Sequence, residues 1–255
     1  MSRFNNLEFG NHFNEQPSPK GLIKDEHFYS IEAMTAFENG RFEQALRSFS
    51  RILEYNPKNA SAWTGQVRML IELGEFDEAK LWADKALEMF PNEPELLAAK
   101  AVALARTGDL KAALLFSDAS IEIKGSSSYV WLARGDVLLA RREKPSDFCF
   151  EKALALTPRS WFLHWLVSRV YAFYKQFSRA LKMAQQAVAL DASRAVTWVQ
   201  FSRCQLALGL AGPATQSLQH ARELDPHCVV PEHSKTSCPT ILRRLLGWWQ
   251  RLFGP

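Results

Sequence analysis

Four residues near the C-terminal end pair imidazoles with thiols, the donor set of a zinc site: His227, Cys228, His233 and Cys238. Their spacing, HC-x4-H-x4-C, matches no standard zinc pattern, and adjacent ligands at 227 and 228 are awkward to bring onto one ion. They read as incidental members of a linker, and no metal or cofactor is expected. Cys149 and Cys204 read as helix-packing residues. The chain has no Gly-rich phosphate loop, no HExxH and no nucleophile elbow. Its close acid pairs, Glu75 with Asp77 and Glu93 with Glu95, fall at turns, where acids favour helix N-termini. No catalytic site is expected, and the chain is not read as an enzyme.

The stretch 239–255 carries a different chemistry. Ile241, Leu242, Leu245, Trp248, Trp249, Leu252 and Phe253 share one face of a helix, and Arg243, Arg244, Gln250 and Arg251 share the other. Two readings stand side by side. The helix folds back and caps the apolar end of the preceding array, or it lies in a membrane interface, which suits Trp and Arg around an apolar stripe. It is too short to span a bilayer. Residues 228–238, with Pro231 and small polar residues, form the linker before it.

Composition narrows the classes. The chain has 255 residues, of which 47% are hydrophobic and 8 are Trp, ample apolar surface for a buried core. A net charge of +4 is too modest for a nucleic-acid footprint, so no nucleic-acid partner is expected. Four irregularly spaced cysteines fit reduced thiols and a cytoplasmic location. Residues 1–16 lack the apolar core of a signal peptide. Residues 1–25, rich in Asn, Ser, Pro and Gly, read as a tail, free or strapped across the rest through Phe4, Leu7, Phe9 and Phe13.

The elements between the two ends repeat. In residues 60–93, Trp63 stands near the start, Gly74 marks a turn, Phe76 opens a second helix, Ala79 and Ala86 line its inner face, and Pro91 closes it. Trp131 follows Trp63 by 68 residues, and Trp198 follows Trp131 by 67. A period near 34 with small residues at fixed offsets means stacked helical hairpins. The units are 26–59, 60–93, 94–127, 128–160, 161–194 and 195–227. Gly40, Gly74, Gly108 and Gly209 mark turns; the fourth unit has lost its turn glycine and one residue, and the fifth has Lys175 there. Pro145 suits the first turn of the next helix, and Gly125 stands where the third unit's closing proline should be.

These residues resemble the tetratricopeptide repeat: an aromatic at position 4, a small residue at 8, Ala at 20, an aromatic or small residue at 24, Ala at 27 and Pro at 32. Val67 and Ser168 depart from the small residue at position 8. The resemblance implies an all-α superhelix of six hairpins whose first helices line a concave groove. The family's groove positions point here to Arg68, Arg106, Tyr129, Asp136, Phe162, Trp165, Arg169, Phe173 and Arg203. Arginines beside aromatics suit a peptide with acidic and apolar side chains; alternatively, they pair with acids on neighbouring helices and the aromatics pack between repeats. The family's clamp for chaperone tails needs Lys and Asn where this chain has Ser30 and Met34, or Thr64 and Arg68, so that clamp is not expected. The resemblance therefore implies an interaction scaffold that binds one or more proteins. The alternative is a peripheral membrane adaptor held by residues 239–253.

Overall fold

The computed structural model describes residues 25–123 and 127–228. The tail 1–24, Gly125, His233, Cys238 and the amphipathic stretch with Ile241, Leu242, Leu245, Trp248, Trp249, Leu252 and Phe253 lie outside the described residues. The described residues form twelve α-helices and no strand: α1 Glu26–Glu38, α2 Phe42–Tyr55, α3 Ala60–Leu73, α4 Phe76–Met89, α5 Pro94–Thr107, α6 Leu110–Glu122, α7 Ser128–Ala140, α8 Ser146–Leu156, α9 Trp161–Phe173, α10 Phe177–Leu190, α11 Ala195–Ala207 and α12 Ala211–Leu224. The all-α hairpin array expected from the period is the fold observed.

Polar caps start the first helices. Asp25, Asn59, Ser127 and Ser160 each accept a hydrogen bond from the backbone N–H three residues on. Turn glycines end four of them. Gly40, Gly74, Gly108 and Gly209 have φ between 70° and 93°, a left-handed conformation that glycine adopts without steric cost. The fourth and fifth hairpins hold the same backbone with Arg142 and Lys175, both at φ 59°. A side chain in that region costs about 1–2 kcal/mol, and glycine's extra freedom in the unfolded chain takes back part of the gain. Lys175→Gly is therefore expected to stabilise the fold by about 0.5–1 kcal/mol, seen as a higher urea midpoint at unchanged slope. A lower midpoint would mean that the Lys175 side chain makes up for its backbone.

Small residues let the two helices of each hairpin approach. Ala45, Ala79, Ala113 and Ala180 are 0% exposed, as are Ala86, Ala153, Ala187 and Ala221 one turn or two further on. Aromatics fill the remaining space. The Phe150 ring lies so close to Gly135 that a Cβ there would meet it at 2.4 Å. Trp63 Nε1 donates to the Pro57 carbonyl at 2.8 Å, and Trp198 Nε1 does the same to Ala192, pinning each first helix to the turn before it. The serines at the small position are satisfied by a recurring bond. Ser168 and Ser202 each donate from Oγ to the carbonyl twelve residues on, Ala180 and Ala214, at 2.8 Å. Val67 is wholly buried.

The array turns far enough to bring its first hairpin back against its fifth and sixth. Phe37 meets Phe162 edge-on at 4.9 Å, and Phe42 stacks on Trp165 at 6.2 Å. Arg41 pairs with Asp225 at 3.1 Å and Arg194 with Glu38 at 3.6 Å. A Cβ on Gly40 would stand 3.1 Å from Val196. The inner face is thus enclosed by side chains contributed from both ends of the array.

Candidate functional site

The first helices of the hairpins face inward and enclose a cavity of about 440 Å³. Seven of the nine groove residues read from the sequence line it: Arg68 on α3, Arg106 on α5, Tyr129 and Asp136 on α7, Arg169 and Phe173 on α9, and Arg203 on α11. Trp165 instead lines a neighbouring cavity of about 470 Å³ between the first hairpin and the last two. It is 1% exposed, with Phe162 stacked on it at 5.5 Å. Phe162 lines neither cavity and bridges Trp165 to Phe37.

The arginines fall into two kinds. Arg106 and Arg169 are committed to acids on other hairpins. Arg106 donates from Nε and Nη2 to the two Asp136 oxygens at 3.2 and 2.5 Å, and its guanidinium lies 3.4 Å from the centre of the Phe173 ring. The Tyr174 hydroxyl donates to the same carboxylate at 2.7 Å. Burial disfavours the charge on Arg106, but Asp136, Tyr174 and Glu72 outweigh it and hold the group firmly protonated. Arg169 donates from Nε to Glu72 at 2.8 Å and lies over the Phe42 and Trp165 rings. This pair joins hairpins two and five across the interior.

Arg68 and Arg203 differ. Among the described residues neither has a carboxylate or hydrogen-bond partner. Arg68 lies between rings, 3.8 Å from the centre of Tyr129 and 5.0 Å from that of Phe37. Arg203 is held below the usual arginine range by burial and by the charge of Arg169. The cavity therefore sets four guanidiniums against two carboxylates, Glu72 and Asp136, with aromatic walls.

Sequence reasoning left out Glu72 and Phe37, although both fall at groove positions, 13 and 12 of their repeats. Glu72 shares its position with Arg106, which is the signal that could have found it.

Burial opposes the ionisation of several thiols and phenols. It pushes the Cys204 thiol up to about 11 and raises the Tyr129, Tyr171 and Tyr174 phenols above their ordinary value. In the unfolded chain such thiols and phenols ionise near about 8.5 and 10. Between those values and the native ones, the unfolded chain releases protons that the folded chain keeps. Folding stability is therefore complete below about pH 8.5 and falls as pH rises, by up to about 1.4 kcal/mol per pH unit for each group. Urea midpoints at pH 8 and 10.5 would read this, and a flat profile would show that the phenols ionise in place.

Among the described residues no three His, Cys, Asp or Glu gather as a metal site, and no helix is long and apolar enough to cross a membrane. Cys149 and Cys204 are buried in helix packing.

The tetratricopeptide repeat family model matches residues 36–102, from α1 to α5. Those residues are tetratricopeptide repeats. No curated protein matches its sequence. Among solved structures, its tetratricopeptide superhelix resembles a tetratricopeptide repeat protein from Parabacteroides merdae, at 17% identity over 87% of this chain and 83% of the other, with a TM-score of 0.51. It also resembles human IFIT1, crystallised as a dimer with m7Gppp-AAAA, at 18% identity over 76% of this chain and 50% of the other, TM-score 0.53. The APC/C hetero-tetramer Cut9–Hcn1 matches at 16% identity over 80% of this chain, TM-score 0.50, and the chain spans 41% of the matched one there. At these identities the likeness is one of fold.

Proposed function

We propose that this tetratricopeptide superhelix is an interaction scaffold that takes a peptide or helix of a partner protein on its inner face. The observation that carries this is the cavity, where Tyr129, Phe173 and four arginines from five different helices converge. A large lining of apolar surface with a few convergent polar groups is the usual form of a binding site. Phe173 supports the reading further. It is 46% exposed, so the cavity offers an apolar surface not yet covered.

The test is an affinity purification of the full chain with mass spectrometry, set against Arg68→Glu/Phe173→Ala. Arg169 is unsuited to it, because its removal would also break the bond to Glu72. A partner lost only in the double variant, with the helical circular dichroism unchanged, supports the inner face. An unchanged partner set overturns it.

A second reading rests on the Trp and Arg stripe of residues 239–253, which suits a peripheral membrane adaptor. It is tested by vesicle sedimentation of the full chain against a chain ending before Pro239. Pelleting lost only in the shortened chain supports it; equal behaviour overturns it.

A further inference from the structure

The imbalance of charge in the cavity indicates what kind of partner segment fits it. A buried cation without an anion is costly, because the low-dielectric interior removes its water without replacing it. Arg106 and Arg169 meet that cost with Asp136 and Glu72. Arg68 recovers part of it from the Tyr129 and Phe37 rings. Arg203 has no carboxylate or hydrogen-bond partner among the described residues, and the neighbouring charge of Arg169 adds to its cost. Two half-buried positive charges therefore remain without a counter-charge among the described residues, in a space of about 440 Å³.

The remaining stretches of this chain do not suit them. Residues 1–24 and 229–255 carry seven Lys and Arg against three acids, Glu8, Glu15 and Glu232. Their net positive charge makes them poor counter-ions for two arginines.

We infer that the cavity takes an acidic segment of a partner polypeptide, whose carboxylates pair with Arg68 and Arg203 and whose apolar neighbour packs on Phe173. Arg presents its donors as a planar fork that fits a carboxylate bidentately, and the Arg68 guanidinium lies 3.8 Å from the centre of the Tyr129 ring. Arg68 and Arg203 stand on the second and sixth hairpins. A segment that pairs with both links the second hairpin to the sixth. This inference rests on the inner-face reading above and adds the chemistry of the ligand to it.

Two measurements on the full chain test it. The first is stability without ligand. Arg203→Met removes an uncompensated charge while keeping an unbranched apolar stem, and Tm is expected to rise by about 2–4 °C. A fall in Tm would mean that Arg203 is already compensated, and would overturn the inference.

The second is selection by the immobilised chain from two pools of N-acetylated, C-amidated hexapeptides. One pool has a fixed Asp-Glu centre and random flanks, the other a fixed Asn-Gln centre. At least tenfold greater retention of the Asp-Glu pool is expected, and Arg68→Gln/Arg203→Gln should abolish the preference. Equal retention of both pools, both lost in Phe173→Ala, would leave inner-face binding standing and overturn the acidic specificity. Retention of neither pool would overturn both. Retention of the Asp-Glu pool that inorganic phosphate displaces at lower concentration than succinate does would assign the cavity to a phosphate group and overturn the carboxylate assignment.

Discussion

Asp136→Ala is expected to destabilise the chain by about 3–5 kcal/mol, the range for removing one partner of a buried ion pair. The two side chains of the Arg106–Asp136 pair are only 7% and 4% exposed. Without Asp136, Arg106 keeps its charge against the Phe173 ring but has no carboxylate, and the Tyr174 hydroxyl loses its acceptor. The cost comes mainly from the group left behind. The double variant Arg106→Met/Asp136→Leu, which removes both charges and keeps apolar volume, should therefore lose less than Asp136→Ala alone. Urea unfolding of the two variants beside the parent decides it. A loss below about 1 kcal/mol for Asp136→Ala, the size of an exposed pair, would mean that cavity water solvates Arg106 as well as the carboxylate does.

Trp165→Ala is the second large effect. Truncating a buried Trp costs about 3–5 kcal/mol through lost contact and the void that remains. Trp165 is 1% exposed and stacks on Phe42 and Phe162, with the Arg169 guanidinium 5.0 Å from its ring centre. The loss therefore reaches beyond α9. The ion pairs Arg41–Asp225 and Arg194–Glu38 are partly exposed and contribute little by themselves. Once the indole is gone, the first hairpin should separate from the fifth, and the radius of gyration in small-angle scattering should increase. An unchanged radius with lowered stability would mean that the enclosure does not depend on the indole.

Much of the architecture was legible because it is local. The period near 34, the turn glycines and the alanines at positions 20 and 27 each report a backbone or packing demand within one hairpin. Arg142 and Lys175 show that the fold keeps the turn where the sequence lacks its signal, since the flanking helices fix the left-handed backbone. Ser168, which departs from the small residue of position 8, is accommodated by its bond to Ala180.

The return of the first hairpin onto the fifth and sixth was not legible. It depends on a small rotation per repeat summed along the array, and no single residue encodes it. For the same reason the positions facing the interior could be read, but not their pairing. Arg169 meets Glu72 across 97 residues, which no local spacing suggests. The two alternatives for the groove arginines therefore divide by residue: Arg106 and Arg169 pair with acids on other hairpins, while Arg68 and Arg203 have none among the described residues.

Hydroxyl-radical footprinting of the full chain, alone and with its captured partner, tests inner-face recognition most directly. Phe173 on α9 is 46% exposed at the cavity, while Leu81 on α4, Leu115 on α6 and Phe148 on α8 are 60–66% exposed on second helices. All four should oxidise in the free chain. Protection of Phe173 by the partner, with Leu81, Leu115 and Phe148 unchanged, is the expected result. Protection of those three with Phe173 still oxidised would place the partner on the second helices and contradict recognition by the inner face.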